Sequence, residues 1–83
     1  MASSLHDSRY ARLIGLLVEA RKSAGLTQRD VALRLKQAPS YIGKIESLQR
    51  RLDLIELIDL LDAIGAKSPD FLKRALIDIR RRG

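Results

Sequence analysis

Asp53, Glu56, Asp59 and Asp62 recur every three residues. On a helix that spacing brings successive carboxylates close together. Paired carboxylates can do general acid–base work or hold a hard cation. A site also needs converging groups of complementary role. The sequence has one histidine, His6, near the N-terminus, and no cysteine. Disulfides and thiolate metal sites are therefore excluded. No glycine-rich phosphate loop accompanies the carboxylates. The acidic row reads as the solvated face of a helix, and His6 as a terminal residue without companions. Neither an enzyme, a metal centre nor a cofactor is expected.

The basic side chains make the second pattern. Residues 21–51 carry eight of them (Arg21, Lys22, Arg29, Arg34, Lys36, Lys44, Arg50 and Arg51) against Asp30 and Glu46. That block alone equals the formal net charge of +6. The following residues, 52–79, are net acidic, and Arg80, Arg81 and Arg82 restore the balance. A concentrated basic block attracts a polyanion and releases counterions on binding it. Charge alone leaves a merely solvated surface open. The chain has no basic start followed by an apolar stretch and no run long enough to span a bilayer, so a cytoplasmic, membrane-free protein is expected.

Helices must position these groups. Residues 9–24 place Tyr10, Leu13, Ile14, Leu17 and Val18 at helical spacing, after a cap at Asp7 or Ser8 and before Gly25. Thr27 caps a second helix, and Asp30 completes a near capping box. Lys36 and Gln37 break the chain. Pro39 then suits the first position of a third helix, which runs to about Ser47. Asp53 and Glu56 form another capping-box pair at the head of a fourth helix, with Leu52 and Leu57 at staple positions. Gly65 ends it. Ser68 caps a fifth helix with Pro69 at its first position. The fold class is all-α, with five helices and no strand.

The fourth helix is apolar over an arc of roughly 220°, too wide for a one-sided surface stripe. The fifth offers Phe71, Leu72, Ala75, Leu76 and Ile79. At 83 residues the chain has a small core, and such chains often gain stability from a partner. A homodimer seam through Leu61, Ile64, Phe71, Leu72, Ala75, Leu76 and Ile79 is expected. The alternative is a fifth helix that folds back onto its own core.

The segments AGLTQRDVALRL, SYIGKIE and RRLDLIELIDLLDAIG together resemble the helix-turn-helix of phage-repressor and Cro-like regulators, the lambda-repressor-like or xenobiotic-response-element type. The resemblance spans residues 10–65. It implies a compact five-helix domain whose third helix enters the DNA major groove. It also accounts for the break at KQAP, since the turn must redirect the chain within a few residues. Carried over residue by residue, it puts Pro39, Ser40, Gly43 and Lys44 on the groove-facing side of the recognition helix, with Gln37 just before it. Ser40 and Lys44 can bond base edges. Thr27, Gln28 and Arg29 fall where the family grips the DNA backbone; Tyr41 matches a phosphate or sugar contact or else packs at the helix edge, and Arg50 and Arg51 fall where the family contacts backbone or minor groove. Arg21 and Glu46 match a structural salt bridge between the first and third helices.

Three positions depart from the family pattern. Lys36 stands where the turn usually has glycine, at a cost of roughly 1 kcal/mol if left-handed. Pro39 replaces a common glutamine, and Leu48 replaces a common glycine. Few polar side chains then remain for base reading, which shifts weight to Gln37, Ser40 and DNA shape. The expected organisation is a flexible segment at 1–8, a helix-turn-helix domain at 9–66 (motif 28–47), a dimerising helix at 67–80 and a basic tail at 81–83. Whether Arg80–Arg82 touch phosphate is left open. The expected function is a homodimeric, sequence-specific transcriptional regulator, more a repressor than an activator. The family also contains antitoxins and restriction–modification controllers, so a toxin or other protein partner is the alternative.

Overall fold

Three helix starts are set by side-chain caps, and four helix stops by left-handed residues. The computed structural model describes residues 7–82; residues 1–6 of the expected flexible N-terminus, His6 among them, lie outside these, while Asp7 and Ser8 of that segment belong to the start of the first helix. Asp7 opens α1 (Ser8–Ser23) by accepting the Arg9 backbone N–H at 2.7 Å. Thr27 and Asp30 exchange hydrogen bonds of 3.0 and 2.9 Å at the head of α2 (Gln28–Arg34). Asp53 and Glu56 do the same at 2.7 and 3.0 Å to open α4 (Leu54–Ile64). Each reciprocal pair satisfies two otherwise orphaned donors.

Two starts differ from expectation. α3 (Tyr41–Glu46) begins two residues after Pro39, because the Tyr41 N–H closes a tight turn onto the Ala38 carbonyl at 2.9 Å. Pro39 and Ser40 lie inside that turn. In α5 (Ser68–Arg82), Ser68 is the first helical residue, and Lys67 before it supplies the carbonyl that Phe71 N–H reaches at 3.0 Å. The helix also continues through Arg82, so the arginines expected as a separate tail extend α5 instead.

Four helix ends share one geometry. Gly25, Lys36, Leu48 and Gly65 all have positive φ, from 56° to 83°. The next N–H in each case returns to a carbonyl five residues back: Leu26 to Arg21, Gln37 to Ala32, Gln49 to Lys44, and Ala66 to Leu61. That is the helix stop in which glycine is favoured. Lys36 and Leu48 adopt it against the Cβ penalty.

The helices enclose one core. Ile14 and Leu17 of α1, Val31 and Ala32 of α2, Ile42 and Ile45 of α3, and Leu57, Leu60, Leu61 and Ile64 of α4 are buried together. The staple residue Leu52 joins them, and its N–H donates to the Tyr10 hydroxyl at 2.9 Å. α5 packs against α1 and α4 of the same chain. This overturns part of the expected seam. Leu61 is wholly buried, and Ile64 and Ala75 are also buried, so none presents a surface to a partner. Phe71, Leu72 and Ile79 are half-buried, and only Leu76 of that set is exposed. Among the described residues, the large apolar side chains left in solvent are Leu33, Leu54, Ile55, Ile58, Leu76 and Ile77.

Lys36 is exposed, whereas Leu48 packs partly on the core. Lys36→Gly therefore removes left-handed strain without losing packing. It is expected to raise stability in urea by about 0.5–1 kcal/mol after the entropy cost of glycine. Leu48→Gly gives no gain, because lost burial offsets the relief.

Candidate nucleic-acid interface

Ala32 is buried where α2 meets α3, and a small side chain there permits a close crossing. The crossing is tied down by a polar cluster. The Arg21 guanidinium, largely buried on α1, donates to both oxygens of Glu46 on α3, at 2.6 and 3.0 Å. Its remaining nitrogen donates to the Leu26 carbonyl at 2.8 Å, just ahead of α2. Gln28 Nε2 adds a third donor to Glu46 at 2.8 Å. One carboxylate thus joins the end of α1, the head of α2 and the end of α3. A bidentate guanidinium contact with additional donors is the arrangement that makes a nearly buried charge tolerable.

The outer side of α3 carries the residues assigned to base reading. Pro39, Ser40 and Lys44 are exposed, Gln37 precedes them in solvent, and Gly43 is half-exposed. Ser40 holds the N-cap position but makes no side-chain cap bond, so its hydroxyl is not consumed by the helix end. Lys44 is exposed and forms no ion pair among the described residues. Thr27 accepts from Asp30 N–H through its hydroxyl oxygen, and its hydroxyl also bonds the Asp30 carboxylate, so the side chain is engaged at the head of α2. Arg29 is exposed next to it.

A second cluster lies beyond α3, and the sequence carried no signal for it. Arg50 donates to Glu56 at 3.1 and 2.6 Å and to the Arg51 carbonyl at 3.0 Å. Its guanidinium also stands 4.9 Å from the centre of the Tyr41 ring, within cation–π range. The Tyr41 hydroxyl faces Glu56 at 3.4 Å. Burial, then the Glu56 charge, push the Tyr41 phenol up, so it stays a neutral donor. Arg50 is thus engaged within the protein, holding the loop that leads from α3 to α4. Arg51 is exposed. Arg34 is likewise engaged, donating to the Ala63 carbonyl of α4 at 2.7 Å.

The acidic row dissolves into separate roles. Asp53 caps α4, Glu56 pairs with Arg50, and Asp59 and Asp62 face solvent. Among the described residues no group of three or more His, Cys, Asp or Glu side chains is placed to hold a metal ion. No described helix is long and apolar enough to cross a membrane.

Known proteins share this fold. The helix-turn-helix family model matches residues 17–72. The solved structure of an XRE-family like protein from Pseudomonas syringae pv. tomato str. DC3000 is similar at a TM-score of 0.83 and 39% identity, over 89% of this chain and 90% of that one. The wild-type restriction-modification controller protein C.Esp1396I has a TM-score of 0.79 and 21% identity, over 96% of this chain and 99% of that one. At that identity the second likeness concerns the fold alone. No curated protein matches the chain. The chain belongs to the XRE-type helix-turn-helix family, and is a DNA-binding transcription regulator.

The loop cluster gives a pH prediction. Hydrogen bonds from Arg50, then from the Asp53 backbone, lower the Glu56 carboxyl to about 2. A carboxyl lowered in the folded state adds stability above its unfolded pKa and loses it as pH falls toward the folded value. Urea titrations should show that contribution fading from about pH 5 to about pH 2. Glu56→Gln should be less stable at pH 7 and should flatten the slope through that window.

Proposed function

We propose that this regulator is a homodimer that reads a near-palindromic operator through α3 and represses transcription in the cytoplasm. The observation that carries the reading is the outer side of α3. Ser40 and Lys44 stand there in solvent, on a helix held from behind by the Arg21–Glu46 pair. A rigid helix with an ammonium and a hydroxyl outward suits direct readout, Lys44 toward guanine and Ser40 toward either acceptor or donor. Gln37 and Pro39 border the same face. Thr27, Gln28 and Arg29 on one side, and Arg51 on the other, supply phosphate contacts that set register. Tyr41 and Arg50 support the second flank from within the protein.

The dimer seam is assigned to side chains that the chain leaves uncovered: Leu54, Ile55 and Ile58 on the first turns of α4, with Leu76 on α5. Exposed aliphatic clusters of this kind mark association surfaces. A two-fold dimer places two copies of α3 about one helical turn of DNA apart, roughly 34 Å. A protein partner is the second reading. It is favoured by Leu33, a large apolar side chain 68% exposed on α2 and outside the assigned seam.

Selection from a random duplex library at near-physiological salt tests the function. An enriched palindrome with half-sites one turn apart is expected, and Lys44→Ala should lose roughly 1–3 kcal/mol of specific affinity. Sequence-blind, salt-sensitive retention would contradict base reading. Sedimentation tests the seam: a dimer at micromolar concentration is expected, and Ile55→Asp should give the 9.3 kDa chain alone.

A further inference from the structure

Gly43 sits on the groove side of α3, yet it has no side chain to offer. A Cβ placed there would lie 3.2 Å from Gln28 Oε1 and 3.9 Å from Gln28 Cδ. The Gln28 carboxamide therefore occupies the space where a side chain of residue 43 would begin. Its orientation is not free. Nε2 donates to Glu46 Oε1 at 2.8 Å, and Glu46 is itself fixed by two bonds from Arg21. Turning the amide over would set its oxygen against a carboxylate oxygen, with two acceptors facing each other. The donor must face Glu46, and the oxygen is left over Gly43.

We propose that Gln28, although it belongs to α2, supplies the specificity-determining group that α3 lacks at position 43. This rests on the reading of α3 as the base-contacting helix. Lys44 and Ser40 offer an ammonium and a hydroxyl, whereas Gln28 offers an amide acceptor beside Gly43. The base groups that satisfy an acceptor in the major groove are the exocyclic amines, N4 of cytosine and N6 of adenine. A phosphate oxygen cannot satisfy it, being an acceptor too. The second Nε2 proton stays free, so a backbone contact by Gln28 and the reading of an amine are compatible. Gly43 is the enabling residue: a Cβ there lies tightly against the amide oxygen and requires the carboxamide to shift by a few tenths of an ångström, and a longer side chain by more. Glu46 is the positioning residue, since it holds the amide one way round.

The test compares base preferences of the full chain, position by position, from the random duplex library. Wild type, Gln28→Ala, Gln28→Leu and Gly43→Ala are selected in parallel, with circular dichroism to confirm helical content. Wild type should prefer cytosine or adenine at one base pair in each half-site. Both Gln28 variants should lose about fivefold of that preference, the worth of one hydrogen bond, and keep the others. Gly43→Ala should weaken the same base pair, because its Cβ shifts the same amide oxygen out of its place. Gln28→Leu keeps the bulk of the side chain, so it separates lost chemistry from lost packing. Equal weakening at every sequence, or unchanged preferences, overturns the proposal and leaves Gln28 as a backbone contact. If wild type shows no preference anywhere, it is the base-reading role of α3 that fails.

Discussion

The Arg21–Glu46 pair is the constraint on which the reading face depends. α2 and α3 are short, seven and six residues. Helices of that length have little stability of their own and are held by tertiary contacts. Ala32, Val31, Ile42 and Ile45 supply apolar contact, but apolar contact is non-directional. The bidentate ion pair is directional. It fixes the end of α3 against α1, and through the Leu26 carbonyl and Gln28 it fixes the head of α2 as well. A buried pair often adds little net stability over apolar residues of the same volume. Its value here is orientation of the groups that meet DNA.

The basic block is smaller in effect than its sequence count suggests. Arg21 is paired inside, Arg34 is bound to the Ala63 carbonyl, and Arg50 is held by Glu56. The exposed cations of the block without such a contact are Lys22, Arg29, Lys36, Lys44 and Arg51. These are the groups able to displace counterions, so they set the salt dependence of binding. The three engaged arginines do structural work: one aligns α3, one links α2 to α4, and one secures the loop after α3. Guanidinium groups suit such roles because they donate in several directions at once.

Local rules made much of the fold legible. Thr27 with Asp30, Asp53 with Glu56, and Gly25 and Gly65 each announce a helix boundary by a mechanism that operates within a few residues. The break at Lys36 was legible for the same reason, although lysine hides the left-handed turn that glycine would advertise. Contacts between distant residues were harder to read. The seam residues Leu61, Ile64 and Ala75 are apolar at helical spacing, and nothing in that spacing tells a chain's own core from a partner's. Glu56 read as a cap and as a solvated face, but its pairing with Arg50 depends on how the loop after α3 folds back. Gln28 over Gly43 is of the same kind. The glycine showed only an absence, and what fills it comes from another helix.

The most direct test is a double-mutant cycle on the hub, with Arg21→Met and Glu46→Leu made singly and together. Stability and operator discrimination are measured on each variant. If the pair acts mainly by orientation, each single change should destabilise by about 3 kcal/mol or more, and the double change should recover most of that loss. Discrimination should not recover, because α3 and Gln28 have lost the carboxylate that aligns them. Losses that simply add, or a double variant that discriminates as the wild type does, would contradict the account.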